Sequence, residues 1–410
     1  MGRVVPVGND GGDAMTQHRG RLRSLKVQGL LSFGEETTFE FGQINLLVGP
    51  NGSGKSNLLE CLRIFKNCPT DVQQTFADTG FQDWVYRGSA EDARAAANLA
   101  IGLPRHDDIR HHLTLGPPTL GHAPLDESIE SQVPKPGEDG PLFFFRTQGG
   151  SPVVSILDSG TQRRGLLRLD AESYRPLDSV LAQLRDAQRY PEITWLGDLY
   201  AGFRMYSEST FGRRSPLRES TPTDRSDPRL SESMDDLALV LNALQGTEAH
   251  DKIRGYLHEL KESYADYITR VAFGRVGLEL REAPFDRPLP AKRLSDGTLR
   301  FLALAAILLH PAPSPLICIE EPELGMHPDM IRMVANMIAD AATRTQLIIT
   351  THSEHLLTAL QDDFDVLFAF DVGERGSVVR PFSRDEFQEW REDHSLGSLW
   401  TAGELGGNRW

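Results

Sequence analysis

The chain has 410 residues, of which 39% are hydrophobic and 25% charged, enough for a full core and more than one lobe. Its net charge of −15 disfavours general adhesion to nucleic acid or to an anionic membrane, while leaving room for a local basic groove. No apolar run approaches the roughly 20 residues of a membrane span, and the three cysteines, Cys61, Cys68 and Cys318, have no metal-binding spacing and an odd count that argues against a disulfide framework. The reading is therefore a cytoplasmic protein.

Residues 1–20 carry no apolar core of signal-peptide length and read as a loose tail. Short apolar runs separated by Gly34 and Gly42 follow, LKVQGLL, TTFEF and INLLVG, which predict a small antiparallel sheet leading into a buried strand. Phe33 and Phe39 suit core positions, with stacking on adenine as the other reading. Arg21 and Arg23 fit a solvated strand end, or a place beside phosphates. The stretch Gln43–Asn67 then combines strand, glycine loop and helix. Gly49, Gly54, Lys55 and Ser56 fill G-x-x-x-x-G-K-[ST], and Leu58, Leu62 and Phe65 recur on one helical face. Glycine lets the backbone bring its N–H groups against phosphate oxygens, and the helix start adds its positive dipole end. Asn51, Gly52, Ser53, Gly54, Lys55, Ser56 and Asn57 are the candidate nucleotide contacts. Lys55 is expected at the β- and γ-phosphates and Ser56 on Mg²⁺.

Residues 70–284 predict an inserted mixed lobe. ARAAANLAIGL fits a helix or a strand, and residues 104–141, dense in Pro, Gly, Asp, Glu and His, read as loop. His106, His111 and His112 lack the companions of a metal site. LFFFRT, PVVSIL and GLLRLD predict strands, Ser179–Arg189 a short helix, and EITWLGDLYAGFRMYS a strand with a loop. Arg204, Arg213, Arg214, Arg218, Arg225 and Arg229 sit among Ser, Thr, Pro and Asp. They form either a solvated loop or a contact to nucleic acid or an acidic partner. Asp235–Leu244 and Ala249–Ile268 read as helices. No heptad seam or internal repeat is present.

The end of the chain supplies a second set of anion-facing elements. AKRLSDGTLRFLALAAILLH runs from a polar turn into an apolar helix that Ser295 or Asp296 can cap and that Gly297 lets a ligand approach closely. One ATP does not need two such helix ends from one subunit, so Ser295 and Gly297 are assigned to a neighbour's ATP; the plain alternative is an ordinary capped core helix. Leu316–Ile319 is a buried strand ending in Glu320 and Glu321. Paired acids there are costly without a cation, which makes Glu320 a magnesium ligand and Glu321 the base for an attacking water. A helix near Asp329–Ala342 and the strand Gln346–Ile349 follow. The right-handed parallel crossover places His352 at the same sheet edge, facing the γ-phosphate.

GPNGSGKSN, LSDGT, ICIEEPELGMHP and TTHS resemble the Walker A, signature, Walker B/D-loop and switch-histidine motifs of ABC-type ATPases. The EEPELGMHP and LSDGT forms resemble the SMC/RecF/OLD-like branch, most closely its stand-alone bacterial AAA family ATPases, some of which sit in phage-defence operons. The tail SLGSLWTAGELGGN is similar to that group's ending, and the middle matches chiefly through LRESTPTD and DLALVLNALQ. The resemblance implies an α/β P-loop NTPase fold. Its ABC/RecF-like head would comprise residues 21–69 and 285–410, a mixed sheet flanked by helices with a small antiparallel sheet. It also implies a slow ATPase using ATP and Mg²⁺, and a homodimer that sandwiches ATP between Lys55 and Ser56 of one subunit and Ser295 and Gly297 of the other. The expected role is an ATP-gated switch in DNA repair or anti-phage defence. The alternative is a sensor that binds no DNA and holds and releases a separately encoded nuclease or toxin effector. The signature is not the LSGGQ of transporters, the Walker B aspartate is replaced by Glu320, and the Q-loop glutamine falls among Gln73, Gln74 and Gln82. The large insertion and the absence of a membrane segment disfavour a transporter motor.

Overall fold

The apolar runs resolve into two large sheets that share a core. The computed structural model describes residues 22–88, 97–103, 109–116, 125–131, 140–148, 151–158, 163–170, 174–207, 215–225, 227–389 and 394–405. In chain order, β1 (Ser24–Gln28) and β2 (Thr37–Glu40) precede β3 (Ile44–Val48), which leads into α1 (Lys55–Asn67). Six strands follow: β4 (Ala97–Leu103), β5 (Ile109–Leu115), β6 (Leu125–Ser131), β7 (Phe143–Gln148), β8 (Ser151–Leu157) and β9 (Arg164–Arg168). Then come α2 (Val180–Gln183), α3 (Pro191–Ala201), β10 (Arg204–Tyr206), β11 (Thr221–Pro222), α4 (Leu237–Leu244) and α5 (Glu248–Leu260). A hairpin of β12 (Tyr264–Ala272) and β13 (Arg275–Glu282) and the short β14 (Leu289–Pro290) lead to α6 (Asp296–Leu308). The chain closes with β15 (Leu316–Glu320), α7 (Pro328–Ala342), β16 (Gln346–Thr350), α8 (Glu354–Ala359), β17 (Val366–Gly373), β18 (Gly376–Ser383), α9 (Arg384–Gln388) and α10 (Leu396–Ala402).

The central sheet runs β10-β15-β16-β3-β17-β18, with β18 antiparallel at one edge and the other neighbours parallel. Side chains alternate across it. Ile44, Leu46, Val48, Ile317 and Ile319 face a core built with α4 to α8. Leu47, Leu316, Cys318 and Ile348 face a second core with α1, α3 and the other sheet. All three cysteines are buried and unpaired.

The second sheet, expected to be small, has eight antiparallel strands, β2-β1-β4-β5-β6-β7-β8-β9. Six come from 97–168, and β4 pairs directly with β1, Lys26 opposite Ala100. β10 likewise joins the central sheet beside β15. Strands of the segment expected as an inserted lobe thus enter both sheets. Phe33 and Phe39 are core residues, packed edge to face with ring centroids 5.7 Å apart. A third, smaller sheet, β11-β13-β12 with β14 against β13, covers α4 and α5.

Four sequence expectations are corrected. Residues 104–141 contain β5 and β6, not loop alone. Their alternation is masked because His111 and Glu127 occupy inward positions. His111 Nε2 lies 2.8 Å from Glu127 Oε1 and its Nδ1 lies 3.1 Å from the Tyr200 hydroxyl. The same carboxylate accepts from Ser179 Oγ at 2.6 Å and from the Val180 N–H at 2.7 Å, fixing the start of α2. Second, EITWLGDLYA is the helix α3, not a strand. Pro191 starts it, and Ile193, Leu196 and Tyr200 bury one face, which overrides the β preference of its aromatic and branched residues. Third, the helix expected over Ala249–Ile268 stops at Leu260, where Lys261 turns extended, and Tyr264 onward becomes β12. The Ser179–Arg189 helix is a single turn, because Leu184 is already extended.

Replacing Glu127 with alanine should leave His111, Ser179 and the Val180 amide buried without their shared acceptor. The expected cost is about 3–5 kcal/mol, read as a lower denaturant midpoint; a Glu127→Ala chain as stable as the parent would refute this account of the sheet.

Candidate functional site

Three parallel strands bring the motifs to one edge. In register, Glu320 on β15 lies opposite Thr350 on β16, which lies opposite Leu47 on β3. The segments that leave these strands are therefore neighbours: the loop 49–54, the carboxylates Glu320 and Glu321, and Thr351-His352. They enclose a cleft of about 210 Å³ lined by Asn51, Gly52, Gly54, Lys55, Ser56, Asn57, Glu320, Glu321, Thr350 and His352. Ser53, within the loop, is buried and does not line the cleft. At Gly54, with φ 108°, a Cβ would sit 2.1 Å from Ser377 Oγ, so the loop admits no side chain there. Ser377 Oγ donates to the Ser53 carbonyl at 2.6 Å, and Asn57 Nδ2 donates to Ser32 Oγ at 2.7 Å. Ser32, in the turn between β1 and β2, and Ser377, at the start of β18, brace the loop. Nothing in the local sequence marks them, since each is remote in the chain from the motif it supports.

The charges are arranged closely. Lys55 Nζ donates to the carbonyls of Gly49 at 2.7 Å and Pro50 at 3.0 Å. Burial lowers its pKa to about 8, against the opposing pull of Glu321 and Glu320. Ser56 Oγ donates to Glu320 Oε1 at 2.7 Å. Glu321 adopts a left-handed backbone, φ 45°, which costs a residue with a Cβ of order 1–3 kcal/mol. Its N–H donates to the Thr350 carbonyl at 3.0 Å, and its carbonyl accepts from Arg300 Nη2 at 2.6 Å. These bonds hold the turn that carries the Glu321 carboxylate to within 3.5 Å of His352 Nε2. Burial, and then the charge of Lys55, lowers the His352 pKa and favours the neutral ring.

Residues 44–358 match the family described as "AAA domain, putative AbiEii toxin, Type IV TA system". The chain belongs to this family. It is an ABC-type ATPase of the SMC/RecF-like branch, and its fold is that of solved SMC heads. The Smc head bound to the C-winged helix domain of ScpA aligns with a TM-score of 0.55 at 14% identity, covering 89% of this chain and 99% of that one. The Smc head with an extended coiled coil, bound to the C-terminal domain of ScpA derived from Pyrococcus furiosus, gives 0.55 at 12% identity, covering 91% and 99%. In sequence, the chromosome partition protein Smc of Lactiplantibacillus plantarum is 33% identical over 96 residues, 23% of this chain and 8% of that protein. Smc of Cereibacter sphaeroides is 36% identical over 91 residues, 21% and 8% respectively. The matched part thus spans about 8% of the length of these curated relatives.

In this ATPase, Ser295 and Gly297 lie outside the Lys55 cleft of their own chain. Ser295 caps α6, its Oγ accepting from the Thr298 N–H at 3.0 Å. A Cβ at Gly297 would stand 3.0 Å from the Gly325 carbonyl, so the turn packs against the loop after β15. Gln73, Gln74 and Gln82 do not line the cleft, and Gln73 Nε2 donates to the Leu177 carbonyl at 2.9 Å. Arg23 lines a separate cleft on the antiparallel sheet, while Arg21 and His106 fall outside the described residues. His112 Nε2 lies 3.5 Å from Glu130, and no group of three or more His, Cys, Asp or Glu among the described residues is placed to hold a metal. No helix among them is long and apolar enough to cross a membrane.

Glu323 carries no motif role in the sequence reading, yet it organises the switch segment. Its Oε1 accepts from Thr351 Oγ1 at 2.5 Å and from the His352 N–H at 3.2 Å. Burial raises its pKa against those two bonds.

Two outcomes are expected. ATP phosphates should raise the pKa of Lys55 from about 8, so binding takes up a proton and affinity falls as pH rises through 8. Calorimetry in two buffers of different ionisation enthalpy measures that proton, and affinity that stays flat from pH 7 to pH 9 contradicts it. Glu323→Ala should lower turnover roughly tenfold while changing nucleotide affinity little; a loss confined to affinity would exclude a role through His352.

Proposed function

We propose that this ATPase hydrolyses ATP slowly to ADP and phosphate and uses the nucleotide to close a homodimer. The observation that carries the reading is a division within one chain. Lys55, Ser56, Glu320, Glu321 and His352 converge on one cleft, while Ser295 and Gly297 at the capped helix start do not line it. A second copy completes the site. The loop amides of 51–57 and Lys55 hold the phosphates, Glu321 takes the proton of the attacking water, and neutral His352 donates to the γ-phosphate.

Ser56 and Glu320 offer two hard oxygen donors at one point, a set that fits Mg²⁺ and leaves its other positions to phosphate and water. Bound there, the cation neutralises phosphate charge. We divide the chain into an ATPase head of 21–69 and 285–410, an insertion of 70–284, and a tail of 1–20. The cytoplasm is the compartment we assign.

The switch serves DNA repair or anti-phage defence. A specific observation favours an output that binds a separately encoded nuclease or toxin over one that binds DNA. The four described arginines of the segment 204–229 are paired internally. Arg204 pairs with Asp227 at 2.6 Å, Arg225 with Asp235 at 2.5 Å and Arg229 with Asp227 at 3.0 Å, and Arg218 pairs with Asp296. Arg213 and Arg214 lie outside the described residues.

Glu321→Gln should abolish turnover by at least about a hundredfold, keep nucleotide binding, and yield a stable dimer with ATP in analytical ultracentrifugation. Turnover at the parent rate would remove Glu321 as the base. Titration of a labelled DNA duplex with ATP at two salt concentrations separates the outputs: steeply salt-dependent binding would favour DNA.

A further inference from the structure

No residue of the LRESTPTD segment lines the Lys55 cleft, yet one of its side chains grips the turn assigned to the second copy's ATP. Arg218 ends a short 3₁₀ turn, Pro216–Arg218, and its side chain is only 9% exposed. Nη1 donates to the carbonyls of Leu294 at 2.7 Å and Ala291 at 3.2 Å. Nη2 donates to the Asp296 carboxylate. The two carbonyls belong to the 3₁₀ turn Ala291–Arg293 and the residue after it, and Asp296 opens α6. One planar fork therefore spans the joint that contains Ser295. It satisfies the negative end of one turn and the acid at the start of the next. A neighbouring pair, Lys292 with Glu219 at 3.0 Å, ties the same two segments together.

The opposite side of the turn is also fixed. Gly297 rests on the Gly325 carbonyl, and Arg300, one turn along α6, donates to the Glu321 carbonyl. The segment that holds Arg218 has its own anchors. Thr221 Oγ1 donates to the Asp235 carbonyl at 2.7 Å, and β11 pairs with β13. The turn is thus clamped between the middle of the chain and the loop after β15.

We infer that Arg218 is a positioning residue that sets the angle at which Ser295 and Gly297 are presented to the ATP of a second copy. The inference rests on the dimer reading above. Arg218 itself touches no nucleotide. Its loss should weaken closure of the dimer and spare binding of nucleotide to the Lys55 cleft. Lysine can reach the carbonyls or Asp296 but not both at once, so it should restore only part of the function.

The test uses the full chain carrying Glu321→Gln, with ATP-dependent dimerisation followed by ultracentrifugation and single-subunit affinity by a fluorescent ATP analogue. Arg218→Met should weaken the dimer about tenfold or more and change analogue affinity less than about twofold. Arg218→Lys should fall between. Asp296→Asn, at an exposed side chain that leaves folding intact, should weaken the dimer less and add nothing in the Arg218→Met background. If the Glu321→Gln chain stays monomeric in ATP, the dimer reading fails and the role of Arg218 with it. If that chain dimerises and Arg218→Met matches it, or if analogue affinity falls as far as dimerisation does, the role alone is overturned. Should Arg218→Met not fold, an Asp296→Asn chain that dimerises like its parent decides against the inference.

Discussion

The backbone ladder joining β15, β16 and β3 is the constraint on which everything else depends. Its register sets Glu320 beside Thr350 and Thr350 beside Leu47. Slipping any strand by one residue would turn its apolar set to the wrong face and separate the carboxylates from the phosphate loop. Burial on both faces enforces that register, because Ile319 and Cys318 point into different cores. The chemistry is thus positioned by packing that takes no part in it.

Within that frame the electrostatics are finely opposed. A buried ammonium, two adjacent carboxylates and an imidazole share a small cleft, and each alters its neighbours. Lys55 is depressed by burial yet supported by Glu321 and Glu320, while the same Lys55 disfavours a charged His352. Such a cluster is poised to accept a polyanion with its cation, which adds the charge that the protein groups balance only partly among themselves.

The site was far more legible in the sequence than the sheet behind it. Lys55, Ser56, Glu320, Glu321 and His352 follow strands whose apolar runs are continuous, because parallel strands are buried on both faces. Motif and context are local there. In the antiparallel sheet the signal is spread across turns and polar inward positions. His111 and Glu127 satisfy one another only after β5 and β6 pair, so neither reads as a core residue in isolation. For α3, composition pointed to a strand while packing on α1 chose a helix. Ser32, Ser377 and Glu323, and the role of Arg218, are hidden for a related reason: each acts on a partner that is distant in the chain or known only once the turn is folded.

The bond from Arg300 to the Glu321 carbonyl links two parts of the molecule that the motifs keep apart. Helix α6 begins at the turn of Ser295 and Gly297 and, a single turn later, grips the backbone behind the Glu321 carboxylate of the cleft. One helical turn joins the two contacts, so a displacement of the Ser295–Gly297 turn is felt at the backbone that carries Glu321.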